Sequence, residues 1–116
     1  MSSISPEAIY RRIYPRRKFR RSIGILFRGS YEIGGAEEIG EGGISFFHSS
    51  QMAVGDSIVV SFQIPLAPFI CVHAEIRNQR ISADGKILYG CSFGILSFEN
   101  KREIRNFVNA RLDSEQ

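Results

Sequence analysis

Two apolar-alternating runs in the second half of the chain flank an Asp-Gly pair, and this pattern constrains the fold more than any other feature. In residues 69–80, four apolar side chains recur at every second position and are predicted to face inward: Ile70, Val72, Ala74 and Ile76. Asp84-Gly85 separates this run from a second one, which extends from residue 87 to about residue 96. Asp-Gly between alternating runs is a strong signal for a tight antiparallel hairpin. With these two residues as the turn, Cys91 lies near Asn78, away from Cys71, and no disulfide is expected.

Shorter strand-like segments precede this hairpin. Residues 22–28 and 57–64 alternate, and their apolar residues fall on one side: Ile23, Ile25 and Phe27 in the first segment, and Ile58, Val60, Phe62 and Ile64 in the second. Residues 31–39 and 44–47 also have extended character, and a turn is predicted at Gly29-Ser30. Five to seven short strands joined by regular turns predict a small antiparallel barrel.

Only the end of the chain has a helical period. From Asn100 onward the apolar residues recur at spacings of three and four: Ile104, Phe107, Val108 and Leu112. This spacing predicts an amphipathic helix, and Asn100 with Glu103 resembles a capping pair at its start. We expect the helix to cover one open end or edge of the barrel. The predicted fold class is therefore mainly β, a small antiparallel barrel with a C-terminal α-helix.

Length and composition fit one domain. The 116 residues, 43% of them apolar, suffice for a single buried core. We assign residues 1–14 to a partly flexible leader, in which residues 8–14 form one or two helical turns that Pro15 ends, and residues 15–116 to one barrel domain with its helix. The start lacks the apolar core of a signal peptide, and no apolar stretch approaches the ~20 residues that cross a bilayer. We expect a soluble, cytoplasmic protein with reduced cysteines that are buried as small hydrophobic residues.

The positive charge of the chain is concentrated near its start. Residues 1–28 hold eight of the fifteen Lys and Arg and one acid, Glu7, a balance of +7, whereas the remaining residues hold seven bases and eleven acids, a balance of −4. The densest part is the basic cluster, Arg16-Arg17-Lys18-Phe19-Arg20-Arg21. Such a run is either a solvated arm or one side of an anion site. Its confinement to one segment favours a localised anion site over a surface that coats nucleic acid.

The sequence contains no arrangement typical of catalysis or metal binding. His48 and His73 are isolated, without a paired acid or a metal-spaced partner nearby in sequence. The glycine-rich run 40–43 is not followed by the Gly-Lys-Ser/Thr of a P-loop. It also fails as a dinucleotide fingerprint, because the third glycine position is Ser45. We therefore predict a binding protein without catalytic residues, metal or cofactor.

Two short motifs, in this order, resemble the signatures of the PilZ family of cyclic di-GMP receptors. Arg17 and Arg21 match the family's Arg-x-x-x-Arg, although Arg16 and Arg20 offer a second frame. The run Glu38-Ile39-Gly40-Glu41-Gly42-Gly43, followed by apolar residues, is similar to the family's Asp/Asn-x-Ser-x-x-Gly. We call these the arginine motif and the glycine motif. The resemblance covers nearly the whole chain and implies a six-stranded antiparallel barrel with a C-terminal helix.

The resemblance also implies a ligand and residue roles. Arg17 and Arg21 would hold phosphate and guanine of cyclic di-GMP, because a guanidinium forks onto either group. Glu38 and position 40 would read the other edge of the base, and Gly43 would permit the turn. Two positions depart from the pattern, since Glu38 replaces Asp or Asn and Gly40 replaces Ser. One lost hydrogen bond typically costs roughly 0.5–1.5 kcal/mol, or about a factor of two to twelve in affinity.

These observations leave three hypotheses. The first is a cyclic di-GMP receptor whose N-terminal arm is mobile when free, wraps the ligand against the barrel when it binds, and signals to a protein partner. The second is a degenerate PilZ-like adaptor that binds nucleotide weakly or not at all. The third is a single-stranded nucleic-acid binder that stacks bases on Tyr10, Tyr14 and Phe19. The negative balance of residues 29–116 argues against the third, so no nucleic-acid partner is expected.

Overall fold

A computed structural model describes residues 15–114, with side chains described up to residue 110. The leader and the predicted turns over residues 8–14 lie outside this range. Within residues 15–114, seven strands and one helix follow in chain order: β1 (Arg16–Lys18), β2 (Ser22–Phe27), β3 (Ser30–Gly40), β4 (Gly43–His48), β5 (Ser57–Gln63), β6 (Phe69–Ile81), β7 (Ile87–Phe93) and α1 (Phe98–Ser114).

Strands β2 to β7 close into a six-stranded antiparallel barrel, which confirms the predicted fold class. The strand order is β1-β3-β2-β5-β6-β7-β4, and an additional β3–β4 pairing closes the ring. Strand β1 lies outside the ring and pairs with the end of β3. The first three residues of the basic cluster form this strand, which was not predicted from the sequence.

The predicted β6–β7 hairpin is present, but its expected register was wrong. Ser82 N donates to Lys86 O at 2.8 Å, so the loop has three residues rather than two. Its last residue, Gly85, has a φ of 86°, as expected where a type I turn is followed by a left-handed residue. The longer loop and a bulge between Ile76 and Asn78 place Cys91 opposite Ile76 instead of Asn78.

The inward faces predicted for β2, β5 and β6 are confirmed. Their alternating apolar residues are buried: Ile23, Ile25, Ile58, Val60, Phe62, Ile70, Val72, Ala74 and Ile76. Phe19 of the basic cluster is also in the core, with its ring edge-on to Phe62 at 6.0 Å and to Phe107 at 5.6 Å. The expectation that both cysteines are buried was wrong, because Cys91 is buried whereas Cys71 lies on the outer face of β6 and is exposed. Neither is in a disulfide.

The C-terminal helix begins two residues earlier than predicted. Asn100 lies inside α1, and its backbone N–H donates to Ser97 Oγ at 3.1 Å, so Ser97 is the cap and the predicted Asn100–Glu103 pair is wrong. The predicted apolar face is confirmed at Ile104 and Val108, which are buried. Between residues 15 and 114, no helix is long and apolar enough to cross a membrane.

Candidate nucleotide-binding site

The pairing of β1 with β3 brings the two sequence motifs into contact. Arg16 lies opposite Gly40, Arg17 opposite Ile39 and Lys18 opposite Glu38. Phe19 N donates to Glu37 O at 2.9 Å and continues the pairing beyond the strand. Because Phe19 is anchored in the core, the arginines beside it are held against the end of β3. Two motifs separated by about twenty residues in sequence therefore share one strand pair.

Alternation along β1 sends its side chains to two different surfaces. Arg17 lies opposite Ile39, which is fully buried, and its guanidinium reaches α1. Its Nη1 donates to the carbonyl oxygen of Phe107 at 2.9 Å, and its guanidinium carbon lies 4.1 Å from the centroid of the Phe107 ring. Arg16 and Lys18 belong to the opposite, outward surface. Arg17 is thus the member of the arginine motif that contacts the helix.

Acidic residues of β3 lie beside the outward cations. Lys18 Nζ lies 2.8 Å from Glu37 Oε1 and 3.9 Å from Glu38 Oε2, and Arg20 Nη2 lies 3.9 Å from Glu37 Oε1. The hydrogen bond from Lys18 lowers the pKa of Glu37, with smaller contributions from the charges of Lys18 and Arg20. Because ion pairs this exposed contribute little free energy, the basic cluster, which we also call the arm, remains available to an anion that binds it more tightly. Arg20 and Arg21 are exposed.

A β-bulge sets the position of Glu38. The register of β3 against β4 shifts between Ala36 and Glu38, which turns Glu37 and Glu38 away from the buried Ala36. The backbone N–H of Glu38 donates to Ser45 Oγ at 3.1 Å. Bulges commonly redirect side chains beside functional sites. Here the bulge presents a carboxylate on the outer surface at the start of the glycine motif.

The two predicted site glycines are both closely approached by backbone. A Cβ at Gly40 would lie 2.6 Å from the carbonyl oxygen of Pro15, and a Cβ at Gly43 would lie 2.0 Å from that of Cys91. Gly40 therefore replaces the family's serine at a place where the arm leaves no room for a side chain. Gly43 is the first residue of β4, where the β7 backbone passes close to it.

The loop of the glycine motif is also tied to the helix. Arg105 Nη2 donates to Glu41 Oε1 at 2.8 Å, and this contact raises the pKa of Arg105. The helix therefore contacts the arginine motif through Phe107 and the glycine motif through Arg105. Sequence reasoning missed both residues at the site. The helical period marked Phe107 as a core position, and no sequence signal links Arg105 to Glu41 across 64 positions.

A second polar cluster lies at the β3–β4 edge of a groove of about 470 Å³ on the barrel. His48 Nε2 lies 2.6 Å from Glu32 Oε2, so the expectation that His48 has no acidic partner holds in sequence but not in space. Ser50 N donates to His48 Nδ1 at 3.0 Å, whereas Ser50 Oγ lies 2.9 Å from Glu32 Oε2. Because the hydroxyl is directed to the carboxylate and not to the imidazole, the cluster lacks the hydrogen bond that activates a serine nucleophile.

Comparison with known proteins agrees with this fold. The PilZ domain model matches residues 10–110, and the chain therefore belongs to the PilZ domain family. No curated protein gives a significant match.

Several solved structures share the fold at low sequence identity. The inhibitor of motility (MotI/DgrA) from Bacillus subtilis is 14% identical with a TM-score of 0.79, and the match covers 89% of this chain and 52% of that one. YcgR from Escherichia coli in complex with c-di-GMP is 13% identical with a TM-score of 0.72, covering 90% and 47%. The isolated PilZ domain of YcgR with c-di-GMP is 12% identical with a TM-score of 0.66, covering 91% and 98%. The chain thus spans about half the length of the first two proteins and nearly all of an isolated PilZ domain.

Proposed function

We propose that this chain is a cyclic di-GMP receptor domain that binds the dinucleotide between the arginine motif and the glycine motif. The observation that carries the proposal is the β1–β3 pairing, which places Arg16 opposite Gly40 and Lys18 opposite Glu38. Family membership and the c-di-GMP complexes of YcgR support the same ligand. Since this dinucleotide is an intracellular signal, the domain acts in the cytoplasm.

The proposed contacts follow from the chemistry of the ligand. Cyclic di-GMP carries two phosphates and two guanines, and guanidinium groups bind phosphate oxygens or the O6/N7 edge of guanine. Arg21 and Arg20 are exposed and supply such groups from the arm. The Glu38 carboxylate accepts hydrogen bonds from guanine N1–H and N2–H. An arginine cannot do this, because its side chain has no hydrogen-bond acceptor. Gly40 and Gly43 give no side-chain contact, because the Pro15 and Cys91 carbonyls occupy the space beside them, so Glu38 is the residue of the glycine motif that reads the base.

Arg17 gives the site a connection to the rest of the fold. In the Arg17/Arg21 frame, Arg17 exchanges its contacts with Phe107 for a ligand phosphate. The exchange changes the conformation of the arm and releases one contact of α1, which then signals to a protein partner. In the Arg16/Arg20 frame, Arg17 stays on the helix and the outward arginines bind the ligand. Alanine substitution at Arg17 separates the two frames, because only the first loses ligand affinity.

The melting temperature tests the proposal. A ligand at about 100 times its Kd stabilises a folded domain by about 2.7 kcal/mol, which raises the melting temperature of a domain this size on the order of 10 °C. We expect this rise with cyclic di-GMP and a much smaller one with GMP at equal concentration. An unchanged melting temperature at high micromolar cyclic di-GMP would contradict the proposal. A protein partner recovered without nucleotide would then favour the adaptor hypothesis.

A further inference from the structure

We propose that Arg77 and Asn78 of β6 form the far wall of the nucleotide site, across β4 and β7 from Glu38. This inference rests on the proposed function and extends the site beyond the two sequence motifs. In this arrangement Arg77 binds the O6/N7 edge of a guanine, and the Asn78 amide gives a second polar contact to the same nucleotide.

The strand registers place these residues level with the glycine motif. One row runs across four strands, from Glu38 through Ser45 and Gly90 to Asn78. The neighbouring row runs from Arg16 through Gly40, Gly43 and Ser92 to Glu75 of β6, and Arg77 reaches Ser92 from the bulge next to it. Each row therefore has a residue of a known motif at one end and a β6 side chain at the other.

Two bulges coincide with the first row. The β3 register shifts between Ala36 and Glu38, and the β6 register shifts between Ile76 and Asn78. Ala36 and Ile76 are buried, and each bulge directs the two residues after them to the outer surface. Bulges often redirect side chains next to functional sites. The bulges of β3 and β6 flank β4 and β7, and we take the surface between them as part of the binding site.

Both β6 side chains lean over β7 toward the glycine motif. Arg77 Nε donates to Ser92 Oγ at 2.9 Å, and Ser92 is the partner of Gly43 in the β4–β7 pairing. A Cβ at Gly90 would lie 2.6 Å from the Asn78 side-chain oxygen and 2.8 Å from its nitrogen, so the amide lies directly above Gly90. Glu75 Oε2 lies 2.8 Å from Arg77 Nη1 and holds the guanidinium in place.

No large side chain separates the two walls in these rows. The residues between them on the outer surface are Ser45, Gly90, Gly43 and Ser92. Adjacent strands are about 4.8 Å apart, so β3 and β7 lie about 10 Å apart with β4 between them. The Arg77 side chain is about half exposed, at 52%, and is accessible to a ligand.

Calorimetry of the full chain with cyclic di-GMP and cyclic di-AMP tests this inference. We expect Arg77→Ala to weaken cyclic di-GMP binding about tenfold or more and to reduce the preference over cyclic di-AMP, because a bidentate arginine–guanine contact discriminates bases by about this factor or more. Arg77→Lys keeps the charge and loses the fork, so it should not restore the preference. Asn78→Ala should weaken binding several-fold. Arg102→Ala on α1 removes one charge elsewhere and serves as the control.

The outcomes separate this inference from the proposed function. If the wild type binds cyclic di-GMP and both Arg77→Ala and Asn78→Ala bind within twofold of it, the far wall is overturned while the receptor function stands. Full rescue by Arg77→Lys would overturn the assignment of Arg77 to a guanine edge, because a phosphate needs only the charge. Failure of the wild type to bind overturns the proposed function and this inference with it. Unchanged melting curves of the variants establish that they are folded.

Discussion

The Arg17 guanidinium of the arginine motif contacts both the backbone carbonyl and the ring of Phe107 on the C-terminal helix. The guanidinium donates to the Phe107 carbonyl oxygen at 2.9 Å and stacks over the ring at 4.1 Å. The same ring packs edge-on against Phe19, which anchors the basic cluster in the core. The helix therefore fixes the arm at Arg17 and Phe19, and any ligand that recruits Arg17 must break its contact with Phe107.

Removal of the Phe107 ring should loosen the arm. Phe107→Ala removes the aromatic contacts to Arg17 and Phe19, whereas Phe107→Leu keeps most of the volume. Since Phe107 is only partly buried, we expect Phe107→Ala to cost somewhat less than the ~3–5 kcal/mol of a fully buried Phe. Denaturant unfolding measures this cost, and hydrogen exchange should speed up at residues 16–19. Equal protection of these amides in both variants and the wild type would contradict the anchoring role.

The substitution Gly40→Ser, which restores the family's serine, should disturb the arm. Its Cβ would lie 2.6 Å from the Pro15 carbonyl oxygen, too close for either backbone to stay in place. We expect a loss of about 1–3 kcal/mol of unfolding free energy, as for other overpacked sites, and faster hydrogen exchange in β1. Gly35→Ser is the matched control, because no atom lies within 4 Å of a Cβ there. Equal stability of the two variants would show that β1 does not pack on Gly40.

Protonation of Glu37 should weaken the arm at acid pH. Its hydrogen bond from Lys18 lowers its folded-state pKa below the usual 4.5. A lowered pKa stabilises the fold above the unfolded-state pKa, and this contribution is lost as the pH falls through the folded-state value. Glu37→Gln removes the effect, so the melting-temperature difference between wild type and variant should be small at pH 7 and vanish well below pH 4.5. If the melting-temperature difference between wild type and Glu37→Gln grew as the pH fell, the result would contradict a lowered pKa of Glu37.

The two thiols should differ in reactivity. Burial raises the pKa of Cys91 to about 12, and its Sγ lies 3.2 Å from the Ile44 carbonyl oxygen, whereas Cys71 is exposed. Because the thiolate is the reactive form, iodoacetamide at pH 8 should add one label to the folded protein and two in guanidinium chloride. Cys71→Ser should take up no label when folded. Two labels added at equal rates, as seen by mass spectrometry, would contradict the burial of Cys91.

The barrel could be predicted because its strands alternate between a closed core and an outer surface. The faces of β2, β5 and β6 follow directly from that alternation. The β6–β7 register could not be predicted, because Asp84-Gly85 is compatible with both a two-residue and a three-residue loop. The bulge after Ile76 leaves no clear mark in the sequence. Ser97 was missed as the helix cap because Asn100 has Glu103 three residues after it, as a capping box requires, whereas the residue three after Ser97 is Asn100.

The site was only partly predictable for a different reason. The motif residues could be named from their spacing, but a run of five cations around Phe19 gives no indication that its first three residues form a strand. Without that strand, the sequence does not determine whether the Arg17 side chain faces the helix or the outer surface. The contacts of Arg105 with Glu41, and of Arg77 with Ser92, join residues far apart in sequence. Such contacts depend on how the strands are arranged when the barrel closes. Local patterns of residues in the sequence do not determine that arrangement.

Isothermal titration calorimetry with cyclic di-GMP tests the central claim most directly. The wild type should bind, and Arg21→Ala should lose about tenfold or more in affinity, because hydrogen bonds to charged groups contribute about 1.5–3 kcal/mol. Arg102→Ala removes the same charge from an exposed position on α1 and should bind as the wild type does. Wild-type binding that is equally weakened by both substitutions, or no heat from the wild type at high micromolar ligand, would contradict a nucleotide site formed by the arm and the glycine motif.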